Sequence, residues 1–190
     1  MDEYDVAYYQ HINAEEGPQA QRLAELLIWK YSPISVIDIG CATGLYLKPF
    51  LDRGVKVTGL DSAKATLAKE VLQIPRSRII LGDITKSSPK IKADLALCIE
   101  VMEHIPASGA TPGIQHLTEC ANLIIFSAAQ PGQGGVGHVN CQPPAYWQSI
   151  FANHGFERLQ EDENYLKIIM SSGYHMGWLI NNLMVLHKTT

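Results

Sequence analysis

The sequence predicts an α/β fold built on a parallel sheet with helices on both faces. Three observations carry that prediction. Short apolar runs of strand character alternate with stretches of helical spacing along most of the chain, the alternation that βαβ units require. A turn holding Gly40, Ala42 and Gly44 joins one apolar run, residues 34–39, to a helix-like stretch. The next apolar run ends in an acid, Asp61, seventeen residues after Gly44. A strand, a glycine turn, a helix and an acid-tipped strand is how an α/β sheet grips a nucleoside.

The elements follow in order. Residues 18–31 set Leu23, Leu26, Leu27 and Tyr31 at helical spacing. Strands are expected at 34–39, 55–60, 78–82, 93–98, 121–127, 156–161 and 181–187. Helices are expected between them at 44–53, 63–72, near 100–104, at 112–119 and at 143–153, with a short one before the last strand. Pro33, Pro75, Pro89, Pro106, Pro112, Pro131 and Pro143 fall mostly at the joints, where a missing N–H does least harm. Residues 128–143 form one long Gly-rich loop, and loops of that length in a compact domain are often functional.

Composition narrows the classes. With 190 residues and 46% hydrophobic content, the chain suits one globular domain, residues 1–190. A net charge of −4 argues against nucleic acid as a partner, because non-specific binding relies on basic surface. No apolar stretch approaches the ~20 residues of a membrane span. The acidic, polar N-terminus MDEYDVAYY does not look like a secretory signal, so a cytoplasmic location is expected. Cys41, Cys98, Cys120 and Cys141 form no C-x-x-C pair. Reduced, mostly buried thiols are expected, with no metal site.

Three readings compete for the turn. A dinucleotide fold wants G-x-G-x-x-G, but from Gly40 the chain has Ala42 and Leu45 where glycines belong. A phosphate-cradling loop wants Lys and Ser or Thr after its last glycine, and Leu45 and Tyr46 stand there. The third pattern is acid-x-Gly-x-(Gly/Ala)-x-Gly, beginning at Asp38. On it the chain resembles the class I S-adenosylmethionine (SAM) methyltransferases. The physics suits that ligand. SAM carries no pyrophosphate, and its sulfonium and ammonium favour a nearby acid. Small residues let the backbone approach it. Asp61 can accept hydrogen bonds from both ribose hydroxyls.

The resemblance covers about residues 33–156. It implies a Rossmann-like, seven-stranded, mostly parallel sheet whose last strand is antiparallel. It also implies an N-terminal helical lid, residues 1–32, ahead of a core of residues 33–190. Asp38, Gly40, Cys41, Ala42, Gly44, Asp61 and Ser62 would then line the SAM site. In LGDIT, Asp83 would meet the adenine amino group and Ile84 would pack on the ring; Asp83 can equally cap a helix. In ADLALCIEVMEHIP, backbone near Ile99 and Glu100 would meet the methionine end. Glu100, Glu103 and His104 also share a helix face as a metal set would, but the family pattern needs no metal and none is expected here.

The acceptor side rests on residues 123–156. His138 is the first candidate for taking the proton from a methylated hydroxyl and His104 the second; the alternative for each is bracing its loop. Asn140, on the same loop, is a substrate-side candidate. The loop's glycines suit a lid. Tyr146 and Trp147 are read as core or pocket wall. Tyr8, Tyr9 and His11 in the N-terminal segment are candidates for the methionine carboxylate or the acceptor. His175, Met176 and Trp178 are candidates for the acceptor wall.

The resemblance implies an enzyme that moves the methyl group of SAM to a small-molecule acceptor, leaving S-adenosylhomocysteine. O-methylation of a sugar, a glycan unit or a secondary metabolite is expected. A non-catalytic SAM-fold protein, or a methyltransferase acting on protein or RNA, are the alternatives. A nicotinamide-dependent oxidoreductase is disfavoured by the glycine spacing.

Overall fold

The computed structural model describes residues 5–172 and 177–189. Helix α1 spans Val6–Tyr31, capped where the Asp5 carboxylate accepts from the Tyr8 N–H at 2.9 Å. After it come β1 (Ser35–Ile39), α2 (Lys48–Asp52), β2 (Lys56–Asp61), β3 (Ile79–Leu81) and β4 (Leu95–Ile99). Then follow α3 (Ala107–Thr118), β5 (Leu123–Ser127), α4 (Pro144–Ala152), β6 (Phe156–Arg158), α5 (Gln160–Ser171), α6 (Gly177–Asn182) and β7 (Met184–Lys188).

The seven strands form one sheet in the order β3-β2-β1-β4-β5-β7-β6. All neighbours are parallel except β7, which runs antiparallel to both β5 and β6. The expected Rossmann-like sheet with an antiparallel last strand is therefore present. Strand residues alternate between two cores, as the period of two demands. Val36, Leu95, Leu97, Ile125 and Val185 face α1, α2, α5 and α6. Ile37, Ala96, Cys98, Phe126 and Leu186 face α3 and α4.

Several boundaries differ from the expectation. Helix α1 begins at Val6 rather than 18 and carries Pro18 inside it. The helix expected at 63–72 is a 3-10 turn, Lys64–Leu67, followed by irregular chain that closes on Gly44 through Ile74. Helix α2 keeps only Lys48–Asp52 of the expected 44–53, because residues 42–47 are turn. Helix α3 starts at Ala107 and holds Pro112, so that proline is not at a joint. The strand expected at 156–161 stops at Arg158, and the unexpected α5 begins at Gln160. Three acids fill the first turn of α5, where the helix dipole favours them. The strand expected from 181 begins at Met184, because α6 runs through Asn182. No helix among the described residues is long and apolar enough to cross a membrane.

Candidate functional site

The order of the strands places the site. Strand β1 is flanked by β2 on one side and β4 on the other, so the chain leaves their carboxyl ends in opposite directions and opens a crevice there. A cleft of about 660 Å³ occupies that position, within the range of small-ligand sites.

The glycine turn forms its floor. Gly40, Ala42 and Gly44 all have positive φ, at 75°, 46° and 85°. The N–H groups of Gly40 and Cys41 donate to the Leu60 carbonyl at 2.8 and 3.1 Å. A Cβ on Gly40 would lie 2.3 Å from Val101 Cγ2, so only glycine lets the turn pass under that side chain. Ala42 adopts a left-handed conformation that costs an L-residue roughly 1–2 kcal/mol. Its N–H is held by Asp61 Oδ2 at 2.8 Å. Gly44 does not line the cleft; a Cβ there would lie 2.5 Å from Ile74 Cγ1, so it is a packing glycine.

Acids dominate the electrostatics. Glu16, Asp38, Asp61, Asp83 and Glu100 line the cleft, and no Lys or Arg does among the described residues. Asp38 is 3% exposed. Burial, then the Asp61 carboxylate, pushes its carboxyl up to about 8. Burial also raises Asp61, against the lowering effect of backbone N–H groups from Ala63, Ala42 and Ser62. Each Asp61 oxygen accepts one backbone bond at 2.8 Å and keeps a lone pair for a further donor. Asp83 accepts from the Thr85 hydroxyl and N–H at 2.7 and 2.9 Å, so it makes the local cap. Those bonds hold its carboxyl below the usual range, the hydroxyl having the largest effect.

Helix α1 closes one side. Tyr8, Tyr9, Ile12 and Glu16 line the cleft, at the spacing that sets residues on one helix face. Glu16 accepts from the Tyr46 hydroxyl at 3.2 Å. Burial is the main reason its carboxyl rises to about 7; Tyr46 opposes the rise and Glu100 adds to it. The Asn13 side chain ties the helix to the floor, accepting from the Thr43 hydroxyl at 2.6 Å and donating to the Val71 carbonyl at 2.8 Å. The sequence reading missed Glu16, Asn13, Thr43 and Tyr46. Continuing the helical period upstream from residue 18 to Tyr8 would have found Glu16.

The opposite wall carries the acceptor-side candidates. Glu100 has φ of 52°, and its N–H donates to the Ser127 carbonyl and hydroxyl at 3.0 and 3.1 Å. Its carboxylate accepts from Asn182 Nδ2 at 3.1 Å and Gln133 Nε2 at 3.3 Å. His104 and His138 both line the cleft and meet edge to face, their ring centres 4.8 Å apart. Burial, then His138, lowers the His104 imidazole, while a bond to the Gly137 backbone opposes the shift. Glu103 lies behind them, fully buried. Burial and the Glu100 carboxylate push Glu103 up to about 8. Its Oε1 accepts from the Ala129 N–H at 3.1 Å, and a side-chain bond to Glu100 adds to the rise.

Other candidates fall as follows. Cys41, Ser62, Ile84, Ile99 and Trp178 line the cleft as the sequence suggested. His11 is exposed and does not line it. Asn140 is buried off the cleft; its N–H donates to the Glu103 carbonyl at 2.9 Å, so it fastens the loop. Trp147 packs in the core against Phe126. His175 and Met176 lie outside the described residues.

Comparisons with known proteins agree with this geometry. A family model described as a methyltransferase domain matches residues 9–122. A ubiquinone biosynthesis O-methyltransferase of Rhodopseudomonas palustris (strain BisB18) is 31% identical over 96 residues, covering 48% of this chain and 36% of that protein. The corresponding protein of Stutzerimonas stutzeri is 29% identical over 117 residues, covering 58% of this chain and 47% of its own. The chain thus spans between a third and a half of these relatives' length. Among solved structures, SAM-bound CalS10, an amino pentose methyltransferase from Micromonospora echinaspora, superposes with a TM-score of 0.70, 16% identity and 98% coverage of both chains. Magnesium protoporphyrin IX methyltransferase from Synechocystis PCC 6803, with bound SAH, gives 0.67, 16% identity, and 100% and 90% coverage. At these identities the structural likeness concerns the fold.

Proposed function

We propose that this chain, which belongs to the methyltransferase-domain family, moves the methyl group of SAM to the hydroxyl of a small-molecule acceptor. The observation that carries the reading is the lining of the cleft, with five carboxyl groups and no lysine or arginine among the described residues; Asp38 and Glu16 keep protons up to about pH 8 and 7 and can release them to a bound cation. Such a wall repels the phosphates of a nicotinamide or nucleotide cofactor. It attracts a ligand whose only net positive groups are a sulfonium and an ammonium.

The residues fit such a ligand. Asp61 has lone pairs left for the two ribose hydroxyls, and its position is set by the N–H groups of Ala42 and Ala63. Asp38 and Glu16 supply the acidic end for the ammonium and sulfonium, and Ile99 and Glu100 line the same cleft. Ile84 and Ile99 offer apolar surface to the adenine, with Asp83 at its edge and Ser62 beside Asp61. SAM supplies an electrophilic methyl on a good leaving group. The protein therefore contributes alignment and exclusion of water. Tyr8, Tyr9 and Trp178 wall the space beside it. His138 first and His104 second are the groups placed to receive a hydroxyl proton. A sugar, a glycan unit or a secondary metabolite is the acceptor class that a cleft of about 660 Å³ suits. Four free thiols fit a cytoplasmic location.

Incubation with methyl-labelled SAM and a panel of sugars and hydroxylated aromatics tests the reading. Label should appear as a methyl ether, with one S-adenosylhomocysteine formed per transfer. His138→Ala should lower kcat by about 100-fold with little change in the KM for SAM. Absence of transfer to every acceptor, together with absence of SAM binding, would overturn the proposal.

A further inference from the structure

We propose that Asn13 is a positioning residue for the donor end of the cleft: its side chain latches the first half of helix α1 to the glycine turn and so places the Glu16 carboxyl. The inference rests on the SAM reading above and goes beyond it. Glu16 lines the cleft, whereas Asn13 does not, so Asn13 acts through its neighbour.

The first half of α1 has little else to fix it. Ahead of Gln19, α1 fully buries only Tyr9, whereas Ala20, Leu23, Ala24, Leu26 and Leu27 anchor the second half in the core. The join between the halves is weak. Pro18 has no N–H, so the helix lacks the bond to the Ala14 carbonyl. A Cβ added at Gly17 would meet nothing within 4 Å, so the helix packs on nothing at that point. Apolar packing therefore fixes the second half and leaves the first largely to polar contacts.

Those contacts form one stripe. Asn13, Glu16 and Gln19 recur every three residues and so share a helix face. All three meet the segment after β1. The Thr43 hydroxyl donates to Asn13 Oδ1 at 2.6 Å. The Tyr46 hydroxyl donates to Glu16 Oε2 at 3.2 Å and accepts from Gln19 Nε2 at 3.3 Å. The Thr43 bond is the shortest of these, and Thr43 is 1% exposed. Asn13 also uses its other amide atom, donating from Nδ2 to the Val71 carbonyl at 2.8 Å. The Thr43 carbonyl in turn accepts from the Gln73 N–H at 2.9 Å. One side chain thus ties α1 to two segments that lie 30 and 58 positions away. Truncating it leaves the buried Thr43 hydroxyl without its acceptor, which is costly away from water. It also frees the turn of helix that carries Glu16, and attraction between a carboxylate and an ammonium weakens as they separate.

Calorimetric titration with SAM at about pH 8, where a carboxyl raised to about 7 is mostly charged, tests the role. Asn13→Ala and Glu16→Gln should each weaken SAM binding by about 10-fold. In the Glu16→Gln background, adding Asn13→Ala should weaken it by less than about 2-fold more. A merely structural role for Asn13 would give the full loss in both backgrounds. Thr43→Val removes the hydroxyl but keeps the shape, and should also weaken binding by about 10-fold. Thr43→Ser keeps the hydroxyl and should restore the affinity to within about 2-fold of the wild type. Urea unfolding shows whether each variant folds, and the Thr43 pair keeps the test decisive if Asn13→Ala does not. Unchanged affinity in Asn13→Ala, multiplied losses in the double variant, or equal losses in Thr43→Val and Thr43→Ser would each overturn the assignment and leave the donor reading in place. Absence of SAM binding by the wild type would overturn the donor reading, and this role with it.

Discussion

Asp38→Asn should change both the pH dependence of stability and the protons exchanged when SAM binds. Asp38 is 3% exposed, beside Asp61, and its carboxyl is raised from 3.8 to about 8. The folded chain therefore keeps this proton where the unfolded chain has lost it. Its contribution to stability is complete below pH 3.8 and is lost as pH rises through about 8. Each pH unit inside that window corresponds to about 1.4 kcal/mol. Between pH 5 and pH 8 the wild type should thus lose about 4 kcal/mol more than Asp38→Asn, which has no proton to lose. The contribution of Asp61 is common to both proteins and largely drops out of the difference. A bound sulfonium and ammonium would favour the charged carboxylate, so SAM binding at pH 7 should release up to one proton from the wild type and fewer from the variant. Urea titrations at the two pH values give the first quantity. Calorimetry in buffers of different ionisation enthalpy gives the second. Parallel pH–stability profiles for the two proteins, together with SAM heats independent of buffer, would refute the reasoning.

Two further perturbations test the frame around the site. Gly40→Ala puts a methyl 2.3 Å from Val101 Cγ2 at a φ of 75°, and should cost about 2–4 kcal/mol in urea unfolding. Adding Val101→Ala should recover part of that loss, and strict additivity would show that the two residues do not clash. Glu163 is 1% exposed and binds Arg158, Lys167 and Gln160. Removing its charge in Glu163→Gln should cost about 3–5 kcal/mol, and a change in the urea midpoint worth less than 1 kcal/mol would contradict the role assigned to this network at the start of α5.

The sequence exposed the donor half of the cleft far better than the acceptor half, for a physical reason. The donor half is local. Asp38, the glycine turn and Asp61 sit within two adjacent strands and the turn between them, and the backbone there needs positive φ that only a few residues supply. Asp83 also lay in a short motif, although its carboxylate turned out to cap its own turn. The acceptor half is assembled over long separations. Glu103 and His104 meet His138 only because the loop after β5 folds back onto the Glu103 carbonyl, and no periodicity encodes that. Glu16 was hidden by a helix start placed at residue 18, twelve positions too late. Its upstream turns set Tyr8, Ile12 and Glu16 toward the cleft rather than the core, so the core-facing period does not simply continue through them. Helix α5 was hidden by its acidic beginning, although Leu166 and Met170 sit four apart and are both buried. The family resemblance made Asn140 a candidate for the acceptor and His11 one for the methionine carboxylate or the acceptor, and neither lines the cleft.

The most direct test of the account is a calorimetric titration of the purified protein with SAM and, separately, with an oxidised nicotinamide dinucleotide, repeated on Asp61→Ala. The account predicts one SAM site per chain, no heat from the dinucleotide, and a SAM affinity at least about 100-fold weaker in the variant, which loses two charge-assisted hydrogen bonds. Dinucleotide binding, or SAM binding that Asp61→Ala leaves unchanged, would contradict it.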